Sequence, residues 1–214
     1  IWVIKPQDVA IIGRLFLTGL YDTTRVIAFA GSEVENPKYI KTKQGVQIEK
    51  LHNQCVLSSA QEMRIINGDV LSGHWVRKNN FLGFYNTLIS VIPEGNHYTF
   101  FGWMPFTQNK LLSMSRTFFS WLTPNKEYDL DTNMNGEPRA MVMVGEMEKV
   151  FPMDIYPMLL LKATLISDIE KMEKLGIYEV APEDFALIDF VSSSKIEAQT
   201  IIREGLDLMI KEVG

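Results

Sequence analysis

Residues 131–136, DTNMNG, are spaced like the start of a calcium-binding loop. They place oxygen-bearing side chains at positions 1, 3 and 5 and glycine at position 6 of the twelve-residue EF-hand loop. That loop also needs a bidentate glutamate at position 12, where this sequence has Val142. Because Asp and Asn side chains also bond to nearby backbone in ordinary turns, we expect an Asx-rich turn here and no metal site.

The remaining reactive side chains form no recognisable catalytic or metal-binding motif. His52, His74 and His97 lie on different predicted elements and make no helical i, i+4 pair of the metalloprotease kind. Cys55 is the single cysteine, which excludes internal disulfides, thiolate zinc sites and an iron–sulfur cluster held by protein thiolates. Neither a GxGxxG loop nor a GxxxxGKS/T loop occurs. We predict no catalytic and no metal-binding residues, and a soluble enzyme using His52 or His74 stays open as an alternative.

Aromatic side chains are concentrated between residues 98 and 121. On a strand, Tyr98 and Phe100 would share one face while Phe101 and Trp103 shared the other. Core packing would cover both faces, whereas docking to another subunit would use aromatic side chains as interface hot spots. A pocket for a flat apolar molecule such as a quinone is the third interpretation. The residues predicted as interface candidates are Phe100, Phe101, Trp103 and Phe106.

Composition and charge exclude several classes of protein. The 214 residues are 46% hydrophobic and 22% charged, as in soluble globular domains. The net charge of −5 argues against a nucleic-acid binder, which needs a cationic face. Lys38, Lys41 and Lys43 instead indicate a solvated edge strand, since edge lysines prevent unwanted strand pairing. No apolar stretch approaches the ~20 residues of a spanning helix. Because no signal peptide is visible and residue 1 is Ile, we expect a piece of a longer protein.

The hydrophobic periodicity predicts an α+β fold with strands first and helices later. A helix is expected from Asp8, and a short one over 46–51. Strands are expected over 26–30, 39–40, 63–66, 69–76, 83–91, 98–106 and 139–144. Helices are expected from Pro157, Ser167, Pro182 and Lys195, with a soft boundary between the mixed and helical parts near residue 150. In the last helix, Gly205 should weaken the middle by ~1 kcal/mol relative to Ala.

Several long motifs in one order resemble the A subunit of the sodium-translocating NADH:quinone reductase, over essentially the whole chain. The segments that carry the resemblance are QDVAIIGRLFLTGLYDTTRVIAFAG (7–31), NPKYIKTKQGVQIEKL (36–51), INGDVLSG (66–73), FFGWMPF (100–106), NGEPRAMVMVGEMEKVFPMDIYPMLLLKATL (135–165) and EDFALIDFVSSSKIE (183–197). The resemblance corresponds to roughly the C-terminal half of such a subunit. It therefore agrees with the expectation that the chain is part of something longer.

The resemblance implies a peripheral, structural role on the cytoplasmic side of the bacterial inner membrane. Partners would be the other subunits of the reductase, including the integral membrane ones, with quinone contact but no residue to which that contact can be matched. NADH oxidation, flavins, iron–sulfur centres and sodium transfer would belong to other subunits, so this chain would bind no cofactor of its own. The flavoprotein subunit of respiratory complex I, a related protein, has an iron–sulfur cluster in its helical tail. Here the corresponding end has Ser192, Ser193, Ser194 and Lys195.

The resemblance also implies a domain organisation. Residues 1–24 would be a linking strand and helix, 25–76 a β-grasp-like ligand-binding module, 77–150 an additional β-rich region and 151–214 a helical C-terminal region. A free-standing β-grasp ligand-binding module without a redox role remains the alternative function.

Overall fold

The computed structural model describes residues 2–52, 62–102, 104, 112–114, 116 and 118–213. It divides the chain into two units, one made of residues 1–94 and 130–132 and the other of residues 95–129 and 133–214. Within the described residues, no helix combines the length and apolar character that crossing a membrane requires. The α+β class is confirmed, whereas the predicted domain bounds at residues 24, 76 and 150 stay predictions.

In its described residues, the first unit has a five-stranded mixed sheet and two helices. Its elements are α1 (Pro6–Thr18), β1 (Thr24–Ala30), β2 (Lys38–Lys43), α2 (Ile48–His52), β3 (Met63–Asn67), β4 (His74–Val76) and β5 (Leu88–Pro93). The strand order is β2-β1-β5-β3-β4, with β1 and β5 parallel and the other pairs antiparallel. The prediction that the lysine-rich segment is an edge strand is confirmed, because β2 lies at one edge of this sheet.

One face of this sheet forms the core of the first unit, and we call it the inner face. Alternate residues of β1, Ile27 and Phe29, are 0% and 1% exposed. They pack in one cluster with α2 and with the inner positions of β3 and β5, since side chains on a strand alternate between faces. The opposite face, which carries Val26, Ala28 and Ala30 of β1, is called the outer face below.

Helix α1 is attached to the sheet by polar contacts that no sequence pattern predicted. The side-chain amide of Gln7 donates to the Val26 carbonyl (2.7 Å) and accepts from the Val26 N–H (2.9 Å). These two hydrogen bonds satisfy the backbone N–H and carbonyl groups of Val26. They replace a strand partner there, because β5 pairs with β1 only from Ala28 onwards. Asp8 also forms an ion pair with the buried side chain of Arg25. These contacts fix the start of α1 against β1.

The second unit is helical in its later part. Its helices are α3 (Pro157–Leu165), α4 (Ile169–Lys174), α5 (Ala186–Val191) and α6 (Ala198–Val213), with 3₁₀ turns at Phe119–Leu122, Ile177–Glu179 and Pro182–Phe185. Local signals place several ends where the sequence predicts them: Pro157 begins α3, and the Asp168 side chain caps α4 at the Lys171 N–H. One core cluster joins these helices, with Leu160, Leu161 and Ile202 fully buried.

Two strand predictions are wrong and two are displaced. Described residues 98–102 form no strand, since 100–102 are a turn, and residues 139–144 form no strand either. In the latter segment the backbone pairs with the loop after α5 rather than with a strand, since the Arg139 N–H donates to the Ser194 carbonyl (2.8 Å). The strand predicted over 69–76 is reduced to β4, because Asp69 folds residues 69–72 into a turn by accepting the N–H groups of Leu71 and Ser72. The one predicted over 83–91 lies at 88–93.

Candidate functional site

The predicted interface residues Phe100 and Phe101 lie on an exposed turn of the second unit. Their rings meet edge to face with centroids 4.3 Å apart, and the side chains are 85% and 48% exposed. Phe101 has a φ of 54°, an uncommon conformation for an aromatic residue, which gives the turn its shape. Trp103 and Phe106 lie outside the described residues. The exposure of the described pair favours the docking interpretation, which stays a prediction.

Within each unit, the described residues bring no two histidines or cysteines together. His74, on β4, and His97 are both exposed and belong to different units. Of His52 the structure describes only its place at the end of α2, and Cys55 is not among the described residues. In the part of the chain that the structure describes, no three His, Cys, Asp or Glu side chains are grouped to hold a metal ion.

The Asn-rich segment is a turn, as the sequence predicts. Asn133 Oδ1 accepts the N–H of Asn135 (2.8 Å), and Asn133 Nδ2 donates to the His97 carbonyl (2.6 Å). Asn135 has a φ of 52°, and its Nδ2 donates to the Asn133 carbonyl. The amide groups of both asparagines are therefore engaged in shaping the backbone.

The loop between α5 and α6 forms a buried polar cluster with segment 139–146 of the second unit. Glu146 is 8% exposed and accepts both the N–H (3.1 Å) and the hydroxyl (2.7 Å) of Ser193. Burial lowers the pKa of Lys195, and the Glu146 carboxylate acts in the opposite direction. The Ser194 hydroxyl donates to the Ala140 carbonyl at 3.2 Å. Because these groups bind one another, the cluster holds segment 139–146 against the helical core.

A second cluster, which sequence reasoning missed, lies on the outer face of the sheet in the first unit. The guanidinium groups of Arg64 and Arg77 lie 5.7 and 5.6 Å from the ring centroid of Trp75. Arg64 also pairs with Glu94 through two nitrogen–oxygen contacts, and Glu94 accepts the hydroxyl of Thr132 (2.9 Å). The alternation Trp75-Val76-Arg77 was the available signal, since it places the aromatic and the cation on one face.

The chain is similar to a known family of respiratory proteins. A family model described as the NQRA C-terminal domain matches residues 26–78, the segment from β1 to β4. The A subunit of the Na(+)-translocating NADH-quinone reductase of Rhodopirellula baltica is 41% identical over 213 residues, covering 99% of this chain and 46% of the relative. The proteins of the same name from Hahella chejuensis and Serratia proteamaculans are each 39% identical over 213 residues. Each match covers 99% of this chain and 47% of the relative.

The chain spans about half the length of the curated relatives it matches. The similarity extends through both units of the structure, because the match covers 213 of the 214 residues. It confirms the resemblance carried by the sequence motifs: this chain is homologous to the C-terminal part of the A subunits of Na(+)-translocating NADH-quinone reductases.

Proposed function

We propose that this chain serves as the C-terminal part of the A subunit of a sodium-translocating NADH–quinone reductase, with a structural and interaction role. The observation that carries the proposal is the 41% identity to such a subunit over 99% of the chain. In this role the chain lies peripherally on the cytoplasmic side of the membrane and docks to the integral subunits. It holds no flavin, iron–sulfur centre or other prosthetic group of its own.

We also propose that the first unit has a β-grasp fold. The support is its topology: five strands in the order β2-β1-β5-β3-β4, a parallel pair in the middle, and a short helix between β2 and β3. In this sheet one face is covered by α2, and the edge strands β2 and β4 carry the exposed side chains Tyr39 and Trp75. The scaffold therefore fits an interaction role better than catalysis, for which the described residues offer no assembled site.

The exposed pair Phe100 and Phe101 is the docking element we assign to the second unit. Aromatic side chains dominate interface hot spots because they bury a large area with little loss of conformational freedom. Two rings that are 85% and 48% exposed would gain about 1–3 kcal/mol each on burial in a partner. The pair thus offers two aromatic contacts that contribute to holding the chain on another protein of the complex.

Purification of an affinity-tagged form of the complete protein from detergent-solubilised membranes tests the proposal. We expect sodium-dependent NADH–quinone reductase activity to co-purify, and replacement of Phe100 and Phe101 by Ala to lower its yield. Tyr156→Ala is the matched control, because Tyr156 is 66% exposed in the same unit. Absence of reductase activity with the unaltered protein would refute the function. Equal yields from the Phe100/Phe101 variant and the control would refute only the docking element.

One spectroscopic test addresses bound cofactors, and one photolabelling test addresses quinone contact. The isolated chain should show no absorbance between 350 and 700 nm, so that a flavin or iron–sulfur spectrum would contradict the structural role. A photoreactive quinone analogue applied to the complete complex tests quinone contact. Adducts within these 214 residues would establish contact, whereas adducts confined to other segments would make this part purely architectural.

A further inference from the structure

Helix α1 uses its polar side chains for contacts inside the first unit. Gln7 and Asp8 bond to residues of β1, and Arg14 forms an ion pair with Asp22 in the loop before β1. Because each helical residue is turned by ~100° from the one before it, these three positions of the helix fall on one side. A helix at a protein surface normally has the reverse arrangement, with its polar side towards water and its apolar side towards the core.

The opposite side of α1, which we call its outward side, carries apolar residues. Val9, Ile12 and Phe16, at i, i+3 and i+7, form its middle and are 55%, 43% and 85% exposed. Leu17 lies beside them and is 87% exposed. Of the thirteen residues of α1, all of which the structure describes, only Ile11 is buried. The outward side is therefore an apolar surface without a charged residue, because the two charged residues of α1 both lie on the inward side.

Contacts within the first unit fix both ends of α1. At the start, the Lys5 ammonium donates to the Tyr85 carbonyl (2.6 Å). At the other end, Gly19 closes the helix with a φ of 71°, and two residues later the Tyr21 hydroxyl donates to Oε1 of Gln44 (2.8 Å). The helix is thus held in one position while its apolar side faces outwards.

The charges of α1 do not suit a bilayer as the cover of this surface. Helices that lie on a membrane have lysine and arginine on their polar side, which attract anionic lipids. In α1 the single arginine is neutralised by Asp22, and the chain as a whole has a net charge of −5. An apolar protein surface matches the outward side better, since it needs no charge opposite Phe16.

The relatives indicate which protein surface this is. More than half the length of each lies outside its match to this chain, and the family model that matches here is described as a C-terminal domain. In the relatives the additional part therefore precedes the segment that corresponds to α1. Trp2 and Val3, which lead into α1, are both 93% exposed. Successive parts of a chain are usually neighbours in space, and their covalent connection raises their effective concentration.

We propose that the outward side of α1 packs against the part of the complete protein that precedes residue 1. In that protein, α1 is the interface helix between two domains of one polypeptide, and the surface opposite Phe16 is apolar. The proposal rests on the proposed function only in so far as that function makes this chain the later part of a longer protein. It is independent of the Phe100 and Phe101 turn, which belongs to the other unit.

Site-specific photo-crosslinking in cells that make the complete protein tests the proposal. Benzoylphenylalanine replaces Phe16 and, as a matched control, Trp75, which is 58% exposed on β4, three strand positions from β1. The crosslinked peptides are sequenced by mass spectrometry. We expect position 16 to capture an apolar peptide from the part that precedes residue 1, within one polypeptide, so that the product keeps the size of the monomer on a denaturing gel. Position 75 should not capture that peptide.

Hydroxyl-radical footprinting of the complete protein, purified free of other subunits, tests the same contact without a substitution. In this chain alone Phe16 is 85% and Phe81 64% exposed, so Phe16 should be oxidised faster. In the complete protein we expect the reverse order, because the preceding part covers Phe16. Comparing two phenylalanines removes differences in intrinsic reactivity between residue types.

The outcomes separate this proposal from the proposed function. Capture of another subunit, of a second copy, of the second unit or of lipid from position 16 would overturn it. So would the absence of an adduct, capture of the same peptide from position 75, or faster oxidation of Phe16 than of Phe81 in the complete protein. Failure of reductase activity to co-purify would refute the proposed function, whereas capture of the preceding part by position 16 would still support the interface.

Discussion

Gly205 in α6 lies where α6 packs closely against α3 in the second unit. A Cβ atom added to Gly205 would lie 2.6 Å from Cγ2 and 3.4 Å from Oγ1 of Thr164 on α3, and 3.6 Å from Cδ1 of Ile177. Both Gly205 and Thr164 are buried. The sequence alone indicates only that glycine weakens the helix. The structure shows why glycine stands there: any side chain would push α6 away from α3.

We expect Gly205→Ala to lower the free energy of unfolding of the helical unit by about 1 kcal/mol. The substitution gains ~1 kcal/mol of helix propensity, and forcing a methyl group into a packed site costs ~1–3 kcal/mol. With the overpacking cost at ~2 kcal/mol, the steric effect exceeds the propensity gain. Gly13→Ala in α1 is the matched control, because a Cβ at Gly13 would meet nothing within 4 Å. It should stabilise its helix by ~1 kcal/mol.

A second substitution separates the steric clash from other effects. Thr164→Ser removes the Cγ2 atom that the new methyl group would strike, and retains the hydroxyl that donates to the Leu160 carbonyl at 2.9 Å. In this background Gly205→Ala should no longer be destabilising. The double-mutant cycle should therefore give a coupling energy of about 2 kcal/mol between positions 164 and 205.

Native-state hydrogen exchange is the suitable assay, because it reports opening of α1, α3 and α6 separately in a chain with two units. Destabilisation by ~1 kcal/mol should accelerate exchange of the protected amides in α3 and α6 about fivefold. The amides of α1 should keep their rates in Gly205→Ala and exchange more slowly in Gly13→Ala. Stabilisation by Gly205→Ala, or a coupling energy near zero with Thr164→Ser, would show that the close approach has been misinterpreted.

Three further predictions concern ionisable side chains. Asp189 caps the start of α6 through backbone and side-chain N–H groups, so Asp189→Ala should destabilise the unit by ~1–2 kcal/mol in urea denaturation and Asp189→Asn by less. Burial raises the pKa of Asp69, but the hydrogen bonds from Ser72 and its neighbour lower it to a net value below 3.8. As the pH falls, the carboxyl therefore takes up its proton in the unfolded chain before it does so in the folded one, and the free energy of unfolding decreases below about pH 4. Asp69→Asn should make that decrease smaller in an acid titration. Burial lowers the pKa of Lys195 below 10.5, so stability should rise with pH in the window below 10.5, and Lys195→Gln should remove that rise.

The parts of the fold that the sequence predicted are those with local causes. Proline sets the start of α3, and Gly19, with a φ of 71°, ends α1 by donating its N–H to the Leu15 carbonyl. The buried strand β1 followed from a run of apolar residues between polar ones. Segment 139–144 has a comparable apolar run, yet its backbone partner is the Ser194 loop, more than fifty residues away. A backbone partner so distant in the chain cannot be recognised from the residue pattern of the segment itself.

The arrangement of aromatic and positively charged side chains on the outer face could not be predicted for a related reason. Alternation in β2 predicts that Tyr39 and Lys41 share a face, and alternation in β4 predicts the same for Trp75 and Arg77. Only the strand order and the register Ile66↔Trp75 show that these two pairs lie at opposite edges of the same face.

Lys41 and Lys43 of β2 lie on the outer face because Ile40, next to Lys41, belongs to the core. Ile40 is 8% exposed and must face inward, so a slip of one residue would bury Lys41 in its place. The edge position of β2 explains why lysine is tolerated there. It does not explain an 82% exposed tyrosine beside those lysines, nor a tryptophan between two arginines at the opposite edge. The tryptophan is held at its edge by the two guanidinium groups, which lie 5.7 and 5.6 Å from its ring centroid and are attracted to the face of the ring.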